Sequence, residues 1–389
     1  MGTNARGLTR RARAGGRLGA ALLLAALACG CGAGHAPADP YGDLRSPGPP
    51  PTARPGARVW AAGMPLLVAA SADGGATWRT RHVAMAGDPF AEVLFGIAFA
   101  DARHGWAVGK AGSILATDDG GATWRVQHGA GAETDLLDVA TTDAHHAWAV
   151  GFVGGRTAGL VLATTDGGRT WRRRYGGSDV LSAVSFSDAV HGWAVGSTGI
   201  IATVDGGLHW HLQHAMPAGY HLSGVAFTDA RHGWAVGGAG AALIKPGFVM
   251  ATSDGGAHWA LQLAGTRDSL NDVSFVDARR GWVVGSQGLL YRTTDGGAAW
   301  TRVAMNRAWE FGAVTFADAR HGWMVVHPHW DVRAAAAGDT GAEWGLQRQL
   351  VLLSTSDGGQ TWTAVTCAHG LPGPVIVTDV ACREPASLP

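Results

Sequence analysis

An all-β ring of seven four-stranded antiparallel blades, a seven-bladed β-propeller, is predicted by three features of this 389-residue sequence: a turn signature copied seven times, a second signature interleaved with it, and chain ends that each hold part of one blade. The turn signature is Ser/Thr-x-Asp-Gly-Gly-x-x-Trp. It runs Ser71 to Trp78, Thr117 to Trp124, Thr164 to Trp171, Thr203 to Trp210, Thr252 to Trp259, Thr293 to Trp300 and Thr355 to Trp362. Its aspartates, Asp73, Asp119, Asp166, Asp205, Asp254, Asp295 and Asp357, are spaced 46, 47, 39, 49, 41 and 62 residues apart. A period of about forty residues with β-type patterning is that of propeller blades.

Within each turn the paired glycines supply the positive φ that a tight hairpin needs. The Asp and Ser/Thr oxygens accept hydrogen bonds from turn amides that would otherwise lack partners. The seven aspartates are therefore read as structural staples, and the tryptophan after each turn as the anchor of its hairpin.

The second signature is Phe99-Ala-Asp101-Ala-Arg103-His104-Gly105-Trp106-Ala-Val-Gly109, and it recurs around Trp148, Trp193, Trp234, Trp282 and Trp323. One unit is then an inner strand ending in Phe, a polar turn, a Gly-Trp-Ala-Val-Gly strand, an apolar strand, the Asp-Gly-Gly turn and a Trp-led outer strand. His104, His146, His191, His232 and His321 recur at one turn position and are read as structural too. Residues present in nearly every blade do not mark one site.

The chain ends complete one blade between them. Arg58-Val-Trp60-Ala-Ala-Gly63 matches the second strand, yet only a proline-rich stretch precedes it. Val377-Thr378-Asp379-Val380-Ala381-Cys382 aligns with the inner strands of other units and has no blade of its own. Paired together, they close the ring and leave no open sheet edge at the seam.

Ahead of the propeller, expected over residues 58–382, five arginines from Arg6 to Arg17 precede an apolar run from Leu18 to Ala28, which is too short to span a bilayer. Residues 1–28 read as a secretion signal of lipoprotein type with Cys29 as the lipidated residue and Cys31 as the rival register. Residues 29–57, with seven prolines between Gly30 and Gly56, read as a Gly/Pro-rich tether, and residues 383–389 as a tail. The expected location is the periplasmic or cell-surface side, held at the membrane by the lipid. Removing the signal takes away five arginines and no carboxylate from a chain of 30 basic and 30 acidic residues, which leaves a mildly acidic body. Such a body gives no reason to expect phosphate-backbone binding. Cys367 and Cys382 could bridge in an exported protein, although their strand positions put them at opposite faces.

The first-to-second and third-to-fourth turns share one face of the ring, and this face is constant. The opposite face varies, from the short Gly196-Ser-Thr-Gly199 to the span Gly237 to Gly247 and a long insert from His327 to Arg348 in blade seven. Variable loops over a rigid scaffold are where binding residues gather. The three tryptophans outside the repeats, Trp309, Trp330 and Trp344, all fall in blade-seven loops on that face. With Glu310, His327, His329, Asp331, Arg333 and Glu343 they form the candidate partner-binding patch. The alternative is an insert folded onto its own blade. A second candidate is Arg172-Arg173-Arg174-Tyr175 near Arg156, suited to an acidic or lipid head group, with solvated surface as the plainer reading. No metal or cofactor is expected: His327-Pro-His329 lacks a third ligand at a known spacing.

The full repeat, Gly-Trp-Ala-Val-Gly, a glycine turn, an apolar strand and Thr-x-Asp-Gly-Gly-x-Thr-Trp, resembles the photosystem II assembly and stability factor family of seven-bladed Asp-box propellers over about residues 58 to 382. That resemblance implies a non-enzymatic, membrane-associated scaffold whose partner is a newly made membrane-protein subunit or assembly intermediate. Two other classes share the architecture. A glycoside hydrolase needs two carboxylates flanking one bond, or a tyrosine nucleophile with an arginine clamp. Asp138, Asp272 and Asp379 share one inner-strand register but sit in blades three, six and one, and make no obvious pair. An adhesion module that binds glycan or peptide without turnover is the third class.

Overall fold

The computed structural model describes residues 57–383, apart from 65–66, 76, 83–92, 128–130, 132, 157, 240–245, 329–350 and 366–375. All of them belong to one of the chain's two units, Asp43–Pro389. They form seven separate four-stranded antiparallel sheets. Blade two is typical: an inner strand Leu94–Phe99, then Gly105–Gly109, Ile114–Thr117 and the outer Arg125–Val126. The inner strands of blades three to seven are Thr134–Thr141, Leu181–Phe186, Tyr220–Phe227, Leu270–Phe275 and Trp309–Phe316.

Blade one is assembled from both chain ends, in the order Ile376–Arg383, Arg58–Met64, Leu67–Ser71, Arg79–His82. Across the seam Val59 pairs with Cys382, Ala61 with Val380 and Ala62 with Asp379. Each inner strand packs on the next, and the strand Ile376–Arg383 packs on those of blades seven and two, so the cycle is closed. Cys367 lies outside the described residues.

The second strands are buried along their length apart from a few end residues, and Gly105–Gly109 at every position, because both faces are covered by neighbouring blades. The main lock between blades is aromatic. Trp60 of blade one stacks on Phe99 of blade two at 3.6 Å between ring centroids, and Phe99 meets Trp124 of its own hairpin edge-on at 5.9 Å. The same sandwich recurs as Trp148–Phe186–Trp210, Trp193–Phe227–Trp259, Trp234–Phe275–Trp300 and Trp282–Phe316–Trp362. Each of these inner tryptophans also donates its indole N–H to a carbonyl in the next blade's Asp-Gly-Gly turn, as Trp148 does to Gly206 at 2.9 Å.

The phenylalanine explains the glycine that opens the second strand. Phe99 is paired with Gly105, and a Cβ there would lie 2.6 Å from the phenyl ring. Two blades lack the phenylalanine, and in both the glycine is lost as well: Thr141 faces Ala147 in blade three, and Cys382 faces Val59 in blade one. The inner strand ending in Phe thus holds for five blades, and the other two exchange ring volume on one strand for side-chain volume on its partner.

Candidate functional site

The seven Asp-Gly-Gly turns are closed hydrogen-bond circuits. In blade three, Thr164 Oγ1 donates to Asp166 Oδ1 at 2.9 Å and accepts the Gly168 N–H at 2.9 Å, while Asp166 takes the Thr170 N–H and hydroxyl at 2.9 and 2.7 Å. Gly167 and Gly168 hold φ of 74° and 81°, the left-handed region that a Cβ disfavours. The amide and hydroxyl of Thr170 hold the Asp166 carboxyl down at about 2. Asp73, Asp119, Asp205, Asp254, Asp295 and Asp357 accept the corresponding amides in their own turns. Each carboxylate is thus bonded within its own hairpin, through Oδ1 alone in Asp295, where Ala299 offers no hydroxyl.

The first-to-second turns lie beside them, since the Gly120 N–H donates to Arg103 O and the Gly206 N–H to Val190 O. The recurring histidines sit here, each with Nδ1 on the turn aspartate: His104 on Asp101, His146 on Asp143, His191 on Asp188, His232 on Asp229 and His321 on Asp318, at 2.8 to 2.9 Å. In blade six Arg280 takes the same place on Asp277. On the constant face the turn aspartates are therefore engaged by the turns' own amides and side chains.

On the opposite face, the junction of blades six and seven holds the described part of the aromatic and charged patch. Trp309 is not in a loop: it is the first residue of Trp309–Phe316, pairs with Pro328, is buried to 7% exposure and meets Phe311 edge-on at 6.4 Å. Backbone pairing extends the inner strand to the face, so the indole packs into its own blade. Glu310 pairs with His327 in the same ladder and accepts a hydrogen bond from Ser286 Oγ of blade six at 3.2 Å. Beside it Gln287, at φ 54°, donates to Asp268 at 2.6 Å, and the Gly288 N–H donates to Trp309 O at 2.7 Å. His329, Trp330, Asp331, Arg333, Glu343 and Trp344 lie outside the described residues.

The arginine run forms the start of the outer strand Arg172–Gly177 of blade three, with Arg172 and Arg173 exposed. Arg172 pairs with Ala163 near the constant face, whereas Arg156 lies beyond the other end of that hairpin, with its guanidinium 5.1 Å from the Phe152 ring. The structure therefore separates Arg172 from Arg156.

Asp138, Asp272 and Asp379, one per inner strand in blades three, six and one, come together around the ring's axis. A bulge precedes each of them, shifting the register at Leu136/Asp138, at Leu270/Asp272 and opposite Ala62/Gly63, and re-aims the side chain. Asp138 then takes the Val139 N–H of its own strand at 2.7 Å and the Val184 N–H of blade four at 2.8 Å. Asp272 takes Val273 and Val314 of blade seven, and Asp379 takes Val380 and Ile97 of blade two, all at 2.8 Å. Each carboxyl joins two blades. They are enclosed by strands yet retain partial surface. Burial, opposed by those amide bonds, raises Asp138 to about 7 and Asp272 to about 6, and lifts Asp379 well above the usual carboxylate range. Asp272 adds to the shift of Asp138, and both add to that of Asp379. The shared register was visible in the sequence; the convergence was not, because it depends on the bulges.

A closed ring of seven Asp-box blades, with a constant face and a variable face opposite, defines the class of this protein. The family model described as Photosynthesis system II assembly factor YCF48 matches residues 81–174, 176–264, 211–310 and 258–386. The chain belongs to that family. It is similar to the solved structure of YCF48 bound to D1 peptide, with 18% identity over 74% of this chain and 90% of that one and a TM-score of 0.53. YCF48 from Cyanidioschyzon merolae is 22% identical over 73% of this chain and 86% of that one, with a TM-score of 0.50. Virginiamycin B lyase from Staphylococcus aureus, 10% identical over 70% of this chain and 92% of that one at a TM-score of 0.51, shares the fold. No curated protein matches the chain.

Proposed function

We propose that this protein is a non-enzymatic scaffold that holds a peptide segment of a membrane-protein subunit during assembly, on the variable face at blade seven. Membership of the assembly-factor family carries the reading, and the relative bound to a D1 peptide supports a peptide as the thing held. The distribution of chemistry agrees. The conspicuous carboxylates and turn histidines are bound into hairpins or blade junctions, while Glu310 and the insert with Trp330 and Trp344 are singular in the ring.

The same geometry weighs against hydrolysis. A glycosidase carboxylate must reach the scissile bond as acid, base or nucleophile. Asp138, Asp272 and Asp379 each have both oxygens engaged by backbone amides.

We further propose that the protein works outside the cytoplasm, exported by residues 1–28 and tethered through Cys29. Cys29→Ala abolishes incorporation of labelled fatty acid if this is right; unchanged labelling assigns the anchor elsewhere.

Cross-linking and recovery of the mature protein from its own membranes tests the scaffold reading. Membrane-protein assembly intermediates are the expected catch, and surface polymers would favour adhesion instead. Trp330→Ala and Trp344→Ala are expected to cut recovery about tenfold or more, the loss of a ring that anchors an interface, with the unfolding midpoint unchanged. Unchanged recovery in both variants removes the patch.

A further inference from the structure

The three axial carboxyls do more than brace the ring. In the four remaining blades the same register position is Gly96, Ala183, Gly224 or Ala313, none of which can accept a hydrogen bond through its side chain. The aspartates are thus confined to three junctions: blade three to four, six to seven, and one to two. The last involves the strand from the C-terminal end of the chain, so Asp379 ties the closing strand to the blade beyond it. Space at the axis is tight: a Cβ on Gly96 would fall 2.8 Å from the Asp138 Cα, and one on Gly224 3.0 Å from the Asp272 Cα.

We propose that Asp138, Asp272 and Asp379 form a proton-linked clasp at the axis, which holds the seven blades most firmly when protonated and slackens three junctions, the one made by the closing strand included, when it ionises.

Among the described residues, the three carboxyls bond to backbone amides and to no cation. Against the strand of Asp138 pack the inner strands of blades two and four and the second strands Gly105–Gly109 and Ala147–Val153, none with a titratable side chain, and the turn Lys110–Gly112, which carries Lys110 and whose Ala111 N–H donates to Asp135, three residues from Asp138. The strands against Asp272 carry Tyr220, His221 and Glu310, with His221 three residues before Gly224 and Glu310 three before Ala313. Those around Asp379 carry Arg58, Glu310, His327 and Arg383. The Arg58 guanidinium donates to Ala102 O at 2.7 Å on the constant face, and Glu310 binds Ser286 on the other. The charges that act on the clasp are its own carboxylates, and they repel.

The direction of the pH effect follows. Each group binds its proton more tightly in the folded ring than in the unfolded chain, so its contribution is complete below about pH 4 and is lost as pH rises through about 6 to 7. Every extra proton held by the folded form makes the unfolding constant rise tenfold per pH unit across that window. The Asp-box carboxyls shift the opposite way and act at lower pH, with Asp166 at about 2.

Urea unfolding of the wild-type protein between pH 5 and 8 is the test, beside Asp138→Asn, Asp272→Asn and the double variant, which keep the shape and cannot ionise. The unfolding constant of the wild type is expected to rise at least tenfold from pH 5 to 7. The double variant loses most of that rise, whatever it gives up at all pH values because each new amide can accept only one of the two backbone N–H groups that the carboxyl held. A flat wild-type profile, or an equal slope in the double variant, overturns the proposal. Should the variants fail to fold, infrared titration of the wild type decides: a protonated-carboxyl stretch present at pH 5 and lost by pH 8 supports the clasp, and its absence at pH 5 overturns it.

Discussion

A chain ending at residue 375, without the strand Ile376–Arg383, is expected to lose the cooperative unfolding transition of the propeller and become protease-sensitive throughout. That strand is the inner strand of blade one. Its removal exposes the pairing edge of Arg58–Met64, uncovers one side each of blades seven and two, and deletes the Asp379 bond to Ile97. Exposed edges of this kind also recruit other chains, so the truncated protein should aggregate. The effect exceeds that of trimming a terminal strand from an open sheet because two neighbouring blades lose their covering together. Circular dichroism melting and limited proteolysis of the two chains make the comparison. A truncated chain that melts like the full-length one would mean that the ring does not need its seam.

Trp148→Ala carries the largest expected effect of any single substitution, about 3–5 kcal/mol from deletion of a buried aromatic. Trp148 is 1% exposed, stacks on Phe186 at 3.6 Å and donates to Gly206 O at 2.9 Å. Its loss opens a cavity between blades three and four and leaves a carbonyl unpaired. Trp210, the hairpin tryptophan on the other side of Phe186, is only partly buried and meets that ring edge-on at 5.9 Å. Trp210→Ala should therefore cost clearly less. Equal losses in urea unfolding would show that the two rings carry similar weight, contrary to the packing.

The contrast between these tryptophans shows how the sequence could be read and where reading stopped. Both recur seven-fold, so the count of blades, the order of strands and the sharing of blade one between the chain ends could be inferred from spacing alone. Their unequal burial could not, because it depends on which face of a blade meets its neighbour. Trp309 illustrates the same limit. Standing outside the repeat, it was expected in a loop, yet strand pairing with Pro328 runs further than the inner-strand signature implies and buries it. The axial carboxyls were legible as a shared register but not as a cluster, since a one-residue bulge decides where an inner-strand side chain points. The loss of Phe together with the facing Gly in blades one and three was a readable sign of altered blade contacts, and it became interpretable only once Thr141 was seen opposite Ala147 and Cys382 opposite Val59.

The functional reading rests on a closed ring that demotes repeated residues to structure and leaves singular ones for binding. Ring closure has a direct chemical test in the pair Ala61 and Val380, facing each other across the seam although they stand at opposite ends of the propeller sequence. With the native cysteines replaced, Ala61→Cys and Val380→Cys introduced together should link within one molecule on mild oxidation. The product should run faster on a non-reducing gel and unfold at higher denaturant. Two thiols that stay reduced, or that link only between molecules, would contradict the closed ring.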